Sequence, residues 1–286
     1  MNADFDYCAD LVHKRDRDRY WCALLAPASF RDDLFTIYAF NAEISEIGNS
    51  VSEPLIGHMR LRWWLDALDP IYAGNPPEHP VARALSATLE RTALDKNAVV
   101  DLLETRQFDM DGSPFATLED VKLYASSTSA QMIRIALSLM GYSSRAHDAA
   151  AKQLGIAWML MGMIRSIPYQ LQRGRADVPT DLSSTFNFNR QSFLDHGYRK
   201  GMPTGLDEIV SRLLDEIKIH LDESRRLWPS ETRVFPAPML LKPLILSYLD
   251  ELRAVNNDPF QLNLQRAGPR VRNMLQLKWL SLFGTY

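Results

Sequence analysis

Apolar residues recur mostly every three or four positions along this 286-residue chain. That spacing places side chains on one face of an α-helix, whereas the alternating pattern of a half-buried β-strand extends over no useful length. Glycine and proline are sparse and stand mostly between the periodic segments, as short loops between helices require. The pattern therefore predicts an all-α fold. The predicted helices are Asp4–Arg15, Ala28–Gly48, Glu53–Tyr72, Pro80–Thr92, Asn97–Phe108, Thr117–Met140, Arg145–Arg173, Gly205–Leu227, Ala237–Val255 and Arg270–Leu282.

Several boundaries between these helices carry recognisable loop signals. The segment Ala73–Pro80 (AGNPPEHP) is typical of a turn, with Pro80 suited to the first position of a helix. Thr117 and Asp120 have the spacing of an N-terminal capping box. The longest irregular region runs from Ala176 to Thr204, which one domain tolerates as a functional or surface loop. Because no internal repeat or low-complexity linker interrupts the chain, the sequence predicts one domain over residues 1–286.

Composition narrows the functional classes. Apolar residues make up 46% of the chain, enough for a substantial core, and a net charge of −3 argues against a nucleic-acid-binding protein. The chain has two cysteines, Cys8 and Cys22, which we expect to be reduced. Neither an apolar run of about 18 residues nor an N-terminal signal segment is apparent. We therefore expect a soluble, cytoplasmic protein, with peripheral contact at the inner membrane left open.

Two segments, Pro27–Asn49 and Gly155–Pro179, contain closely spaced arginines, aromatic residues and glycines. Their residues Pro27, Arg31, Leu34, Tyr38, Ala39, Phe40, Gly155, Ala157, Arg165, Arg173, Gly174, Arg175 and Pro179 match signature positions of the squalene/phytoene synthase family. Tyr124 matches the start of a further signature segment that begins with tyrosine. The chain thus resembles this family, and the resemblance implies a single-domain, isoprenoid-synthase-type helical bundle with a central cavity.

The reaction of that family needs Mg²⁺, because an allylic diphosphate must ionise and the metal neutralises the departing charge. Mg²⁺ binds through carboxylates, and two carboxylates four residues apart face the same way on a helix. The resemblance assigns the metal positions to Ser45, Glu46, Asn49, Ser166, Tyr169 and Gln170. Only Glu46 is acidic. We therefore expect no metal and no cofactor, with Mg²⁺ needed only if the chain is a prenyltransferase with atypical ligands.

The signature residues that persist are candidates for residual chemistry. Tyr124 and Arg165 are the remaining catalytic candidates, although Tyr124 also fits a core tyrosine. The candidates for binding a substrate or another anion are Arg31, Tyr38, Arg165, Arg173 and Arg175. Arginine guanidinium groups bind phosphates bidentately, but they also pair structurally with acidic side chains, so both interpretations stay open.

A closer resemblance lies in the residues that depart from the synthase pattern. These are AFNAE (Ala39–Glu43), SVSEPLIGHMRLRWW (Ser50–Trp64), IYAGNPPEHPVA (Ile71–Ala82), RSIPY (Arg165–Tyr169) and the terminal Thr285 and Tyr286. They resemble the synthase-like assembly factors of mitochondrial respiratory complex I, with this chain looking like a bacterial relative. The resemblance implies complex I subunits or other assembly factors as partners, and association with the inner-membrane face.

Three functional hypotheses follow. The leading one is a non-catalytic, synthase-fold assembly or interaction factor for complex I. The alternatives are a trans-prenyltransferase with atypical metal ligands, and a carrier that holds an isoprenoid or lipid in the cavity.

Two further segments have open interpretations. Arg60, Arg62, Trp63 and Trp64 fit either an anchor for a partner or membrane surface, or one tryptophan in the core beside solvated arginines. The amphipathic segment Arg270–Phe283 fits either a helix closing the bundle or an interfacial membrane helix.

Overall fold

The described part of the chain is built of α-helices. The structure, a computed structural model, describes residues 3–51, 53–196, 202–232, 235–262, 275 and 277–281, and within them no β-strand occurs. The α-helices are α1 (Ala3–Arg15), α2 (Arg17–Leu24), α3 (Ala28–Ser50), α4 (Pro54–Tyr72), α5 (Pro80–Leu89), α6 (Lys96–Thr105), α7 (Leu118–Ser127), α8 (Ser129–Leu139), α9 (Arg145–Gln172), α10 (Thr180–Thr185), α11 (Arg190–His196), α12 (Leu206–Leu227) and α13 (Leu241–Ala254). Two 3₁₀ turns, Arg106–Met110 and Ala237–Leu240, follow α6 and precede α13.

Two clusters of buried apolar side chains hold these helices together. The first is formed mainly by α7, α9, α12 and α13, and the second mainly by α1, α3, α4, α5 and α6. Helix α8 lies between them, since Ile133 and Leu137 belong to the first cluster while Met132 and Ala136 belong to the second. The side chains of α8 therefore join the two halves of the core.

Helix α9 is the longest helix of the described residues and packs against α7, α8, α12 and α13. Ser144 caps its N-terminus by accepting a hydrogen bond from the His147 amide. The helix continues through Pro168 and ends in a Schellman motif, in which Gly174 has φ 69° and the Arg175 amide donates to the Gln170 carbonyl at 2.8 Å. This ending turns the chain so that the residues after α9 lie beside its last turns.

Most predicted helices are present, but two predictions were wrong in detail. The sequence reading missed α2, whose buried side chains include Asp18 and Arg19, so that no apolar stripe marks it. The single helix predicted over Thr117–Met140 is broken at Thr128 into α7 and α8. The Thr128 hydroxyl donates to the Tyr124 carbonyl, a local bond that competes with the helical hydrogen bonds.

Other differences are smaller. The helix predicted over Pro80–Thr92 ends at Leu89, and the one predicted over Asn97–Phe108 is α6 followed by a 3₁₀ turn. The irregular region predicted from Ala176 to Thr204 contains the short helices α10 and α11. By contrast, the capping box predicted for Thr117 and Asp120 at the start of α7 is confirmed, since both reciprocal hydrogen bonds are present. The predicted helix Arg270–Leu282 lies mostly outside the described residues, as do Thr285 and Tyr286.

Helix α8 approaches the backbone of α9 closely at Gly155. A Cβ atom at this position would lie 2.3 Å from Ala130 Cα on α8, a distance that requires backbone movement. On the same helix, a Cβ at Gly162 would meet no atom within 4 Å. We predict that Gly155→Ala lowers the free energy of unfolding by about 1–3 kcal/mol.

The matched control is Gly162→Ala, which should raise the free energy of unfolding by about 0.5–1 kcal/mol because alanine favours an exposed helix interior. Urea denaturation followed by circular dichroism measures both values. Equal stability of the Gly155→Ala variant and the wild type would contradict the close helix crossing.

Candidate functional site

A cavity of about 350 Å³ lies between α3, α7, the Arg106–Met110 turn and the C-terminal half of α9. Its wall brings together five of the six positions that the resemblance assigns to metal ligands, which are Ser45, Asn49, Ser166, Tyr169 and Gln170. Three further candidates, Tyr124, Arg173 and Arg175, line the same cavity. The sequence pattern on α3 and α9 thus leads to one site.

The neutral side chains of this wall are bonded to nearby groups of the protein. The hydroxyls of Ser45 and Ser166 each donate to a backbone carbonyl three residues earlier, at 3.3 and 2.8 Å. Gln170 Nε2 donates to Ser166 Oγ at 2.8 Å, and Gln170 Oε1 accepts from the Asp177 amide at 2.9 Å. These bonds fix the uncharged side chains in this part of the wall and tie α9 to the segment that follows it.

A buried network forms another side of the cavity. Arg106 Nη1 donates to Tyr124 Oη at 2.9 Å and to Asp109 Oδ2 at 3.2 Å, while its Nη2 donates to Asn41 Oδ1 at 3.3 Å. Tyr124 Oη in turn donates to Asp109 Oδ1. The network joins α3, α7 and the 3₁₀ turn around one guanidinium group.

The environment of this network fixes its protonation states. Burial is the largest effect on Tyr124 and raises its pKa, and Asp109 adds to the rise while Arg106 opposes it. Burial works against the charge of Arg106, but Tyr124 and Asp109 outweigh it and raise the arginine pKa. Tyr124 therefore remains a neutral phenol that donates to Asp109, and Arg106 remains charged.

The sequence pattern did not predict that Arg106 and Asp109 belong to the site. It placed Arg106 near the end of a predicted helix, where a charged residue is usually solvated, and no motif pointed to Asp109. The only signal in the chain was the run of charged residues in ETRQFDMD between two apolar helices. Their burial comes from contacts with Asn41 and Tyr124, which are distant in sequence.

The two arginines after α9 lie at the edge of the cavity. Arg173 Nη1 donates to the Asn49 carbonyl at 3.1 Å, and its guanidinium carbon lies 4.5 Å from the centre of the Tyr169 ring. Arg175 pairs with Asp177, with 2.9 Å between Nη2 and Oδ2. Both candidates for anion binding are thus engaged with protein groups, and Arg173 connects the ends of α3 and α9.

Other candidates lie elsewhere. Glu46 lines a separate groove of about 470 Å³, where its Oε1 lies 3.8 Å from Arg15 Nη1. Arg31 Nε donates to the Ala26 carbonyl at 2.9 Å, and Tyr38 is buried beneath the guanidinium group of Arg19. None of these three is among the residues that line the cavity.

Arg165 belongs to a second buried network. Its Nη1 donates to Asp18 Oδ2 at 3.0 Å, and its guanidinium carbon lies 3.9 Å from the centre of the Tyr248 ring. Tyr248 Oη donates to the Asp18 carboxylate at 2.8 Å. Burial is the largest effect on Asp18 and raises its pKa, whereas Arg165 and the Tyr248 hydrogen bond oppose the rise. This network joins α2, α9 and α13.

Comparison with known proteins identifies the family. The family model described as squalene/phytoene synthase matches residues 12–274. The chain belongs to the squalene/phytoene synthase family. A dehydrosqualene synthase crystallised with a ligand is similar in fold, with a TM-score of 0.77 at 20% identity over 96% of this chain and 94% of that chain. The predicted all-α, isoprenoid-synthase-type fold is therefore confirmed.

The proteins that are similar to this chain in sequence include both assembly factors and synthases. The chain is 31% identical over 261 residues to complex I assembly factor 6 of Bos taurus, which covers 91% of this chain and 77% of the relative. It is 27% identical over 250 residues to a phytoene synthase of Rhodobacter capsulatus, which covers 86% of this chain and 70% of that enzyme. The similarity to complex I assembly factors agrees with the closer resemblance noted in the sequence.

The Arg165 network yields a test of its role. Removing the guanidinium leaves the Asp18 carboxylate buried without its cation, so we predict that Arg165→Met lowers the free energy of unfolding at neutral pH by about 3–5 kcal/mol. Without Arg165 the pKa of Asp18 rises further, and the folded state then binds a proton more tightly than the unfolded state. Stability therefore falls as pH rises from the unfolded pKa of about 3.9 through the folded pKa.

The measurement is urea denaturation of both proteins between acid and neutral pH, and the stability deficit of Arg165→Met should shrink as the pH falls. Adding Asp18→Asn should recover part of the deficit at neutral pH. The control is Arg62→Met, which removes an exposed pair with Asp66 and should cost less than about 1 kcal/mol. A deficit that neither pH nor Asp18→Asn changes would contradict the account.

Proposed function

We propose that the chain is a non-catalytic member of its family that acts as an assembly or interaction factor for respiratory complex I. The observation that carries the proposal is that neutral residues line the cavity at the positions that the resemblance assigns to metal ligands. Of these, Ser45, Ser166 and Gln170 are hydrogen-bonded within the protein, and Asn49 lies beside them. The similarity to complex I assembly factor 6 over 91% of the chain supports the assembly role. Partners of the chain are then complex I subunits or other assembly factors.

The donor groups around the cavity do not fit the Mg²⁺ that the family's reaction needs. Hydroxyl and amide groups replace the carboxylates that Mg²⁺ prefers, and the two carboxylates of the wall are engaged. Asp109 accepts hydrogen bonds from Tyr124 and Arg106, and Asp177 pairs with Arg175. Among the residues that the structure describes, no three His, Cys, Asp or Glu side chains are grouped to hold a metal ion. We therefore propose a function that uses no cofactor.

The same observation weighs against the prenyltransferase alternative. An ionising diphosphate needs cations that approach its oxygens, whereas Arg106 and Arg175 are each paired with a carboxylate. The third arginine of the cavity, Arg173, donates to the Asn49 carbonyl and lies over the Tyr169 ring. Turnover would require these pairs to break at the same time as a metal is bound by neutral side chains. Binding of a ligand or a partner without catalysis requires neither the breaking of these pairs nor a bound metal.

A carrier function is the second candidate, and one specific feature favours it. A groove of about 590 Å³ adjoins the cavity and shares with it Phe108, Phe115 and Tyr124. Leu123, which is exposed, extends the apolar surface of this groove. An isoprenoid or lipid would place its polar end in the cavity and its apolar chain along the groove. Such binding is compatible with an assembly role.

The assembly role is tested by deleting the gene from its own organism and measuring assembled complex I on native gels together with NADH:quinone activity in membranes. We predict a loss of both, restored by a plasmid copy of the wild-type gene. Growth conditions that do not require complex I keep the strain viable. Normal complex I levels in the deletion strain would contradict the proposal.

The deletion strain also tests whether the assembly role depends on a catalytic residue. Tyr124→Phe removes only the hydroxyl of Tyr124, one of the two catalytic candidates, and the Arg106–Asp109 pair does not depend on that hydroxyl. We therefore expect this variant to restore complex I at wild-type protein levels, as measured by immunoblotting. Failure of the variant at a normal protein level would support a chemical role for Tyr124.

A further inference from the structure

The N-terminal half of α4 exposes four large apolar side chains to solvent. Leu55, Ile56, Met59 and Trp63 are 67%, 41%, 64% and 42% exposed. Single exposed apolar residues are ordinary on protein surfaces, whereas a contiguous group indicates an interaction site. We call these four residues the α4 stripe.

The α4 stripe is a continuous feature of one helix face. Leu55, Met59 and Trp63 are spaced four residues apart, so their side chains follow one another along the helix. On the opposite face, Leu61 and Trp64 are buried in the core. The Trp63 and Trp64 rings meet edge to face at 4.9 Å, which braces the exposed ring against a buried one. The Trp63 ring is therefore supported by the core, and the exposed parts of the four side chains are available to a partner.

The stripe has cationic flanks. From Pro54 to Leu65 the sequence contains His58, Arg60 and Arg62 and no acidic residue, while Glu53 and Asp66 stand at the two ends of this segment. Both arginines are exposed and, by their helical positions, lie on either side of the apolar side chains. Arg60 contacts Ser50 Oγ at 3.1 Å, and Arg62 pairs with Asp66 in a solvent-exposed pair of the kind that contributes little stability. Both guanidinium groups can therefore turn to an external anion at low cost.

We propose that the α4 stripe docks the protein on the surface of an anionic lipid bilayer. Tryptophan, methionine and leucine would enter the boundary between headgroups and acyl chains, and Arg60 and Arg62 would contact lipid phosphates. An exposed helix face with an apolar centre and cationic edges is complementary to such a surface. The inference deepens the proposed function, on which it rests for its biological setting, by naming the surface through which the chain meets a membrane.

The test is sedimentation of the purified full-length protein with vesicles of phosphatidylcholine alone and of an equimolar mixture of phosphatidylcholine and phosphatidylglycerol. We expect binding to the mixed vesicles, and about tenfold or greater loss of affinity for Leu55→Ser/Met59→Ser/Trp63→Ser. Arg60→Gln/Arg62→Gln should lose roughly tenfold, and only on anionic vesicles. The matched control, Ile219→Ser/Leu246→Ser, removes exposed apolar side chains from α12 and α13 and should bind like the wild type.

A second measurement reports directly whether the Trp63 ring enters the bilayer. Lipids brominated on their acyl chains should quench part of the wild-type tryptophan fluorescence, and Trp63→Phe should lose that quenched part. Circular dichroism checks that each variant is folded.

The proposal is overturned if the wild type binds no vesicles, or if the stripe variant and the control variant bind equally. It is also overturned if analytical ultracentrifugation shows a wild-type dimer that the stripe variant loses while vesicle binding is unchanged, since the stripe then joins two copies. Vesicle binding uses purified protein and complex I assembly is measured in cells, so either result can fail without the other.

Discussion

The close crossing of α8 and α9 is the constraint on which the other features depend. Because Gly155 has no side chain, the backbone of α9 approaches Ala130, and α8 can contribute side chains to both buried clusters. This crossing fixes the direction of α9. About three and four turns further on, the same helix presents Ser166 and Gln170 to the cavity, and its terminal glycine turn brings Arg175 to the rim. The geometry of the site thus follows from a packing contact outside it.

The electrostatics of the protein distinguish it from what the family's reaction needs. Charged groups are present around the bundle interior, but they are paired with one another: Arg106 with Asp109, Arg165 with Asp18, and Arg175 with Asp177. Buried charges are costly unless they are paired and hydrogen-bonded, so these pairs define a stable interior. They also reduce the charge that remains for a metal or a diphosphate. Retention of the fold is therefore compatible with the proposed absence of the family's chemistry.

The sequence predicted those features that depend on local spacing. The helices with apolar stripes were found, and the spacing of Ser45, Asn49, Ser166 and Gln170 led to one cavity. The sequence did not predict the features that depend on the burial of charged side chains. Helix α2 buries Asp18 and Arg19, and the cavity network buries Arg106, so that periodicity and motifs both treat these residues as solvated. Likewise, the family signature did not separate Arg165 and Tyr38 from the cavity residues, since their positions depend on partners in α2 and α13.

The most direct measurement of the central claim is diphosphate release. Purified protein is incubated with farnesyl or geranylgeranyl diphosphate and Mg²⁺, and both released diphosphate and hydrocarbon product are followed, with the phytoene synthase of Rhodobacter capsulatus assayed alongside. Neutral side chains at the family's metal positions, with Asp109 and Asp177 each paired with an arginine, predict no Mg²⁺-dependent release above the protein-free blank. Mg²⁺-dependent turnover to a hydrocarbon, lost in Tyr124→Phe or Arg165→Met while the variant remains folded, would contradict the account.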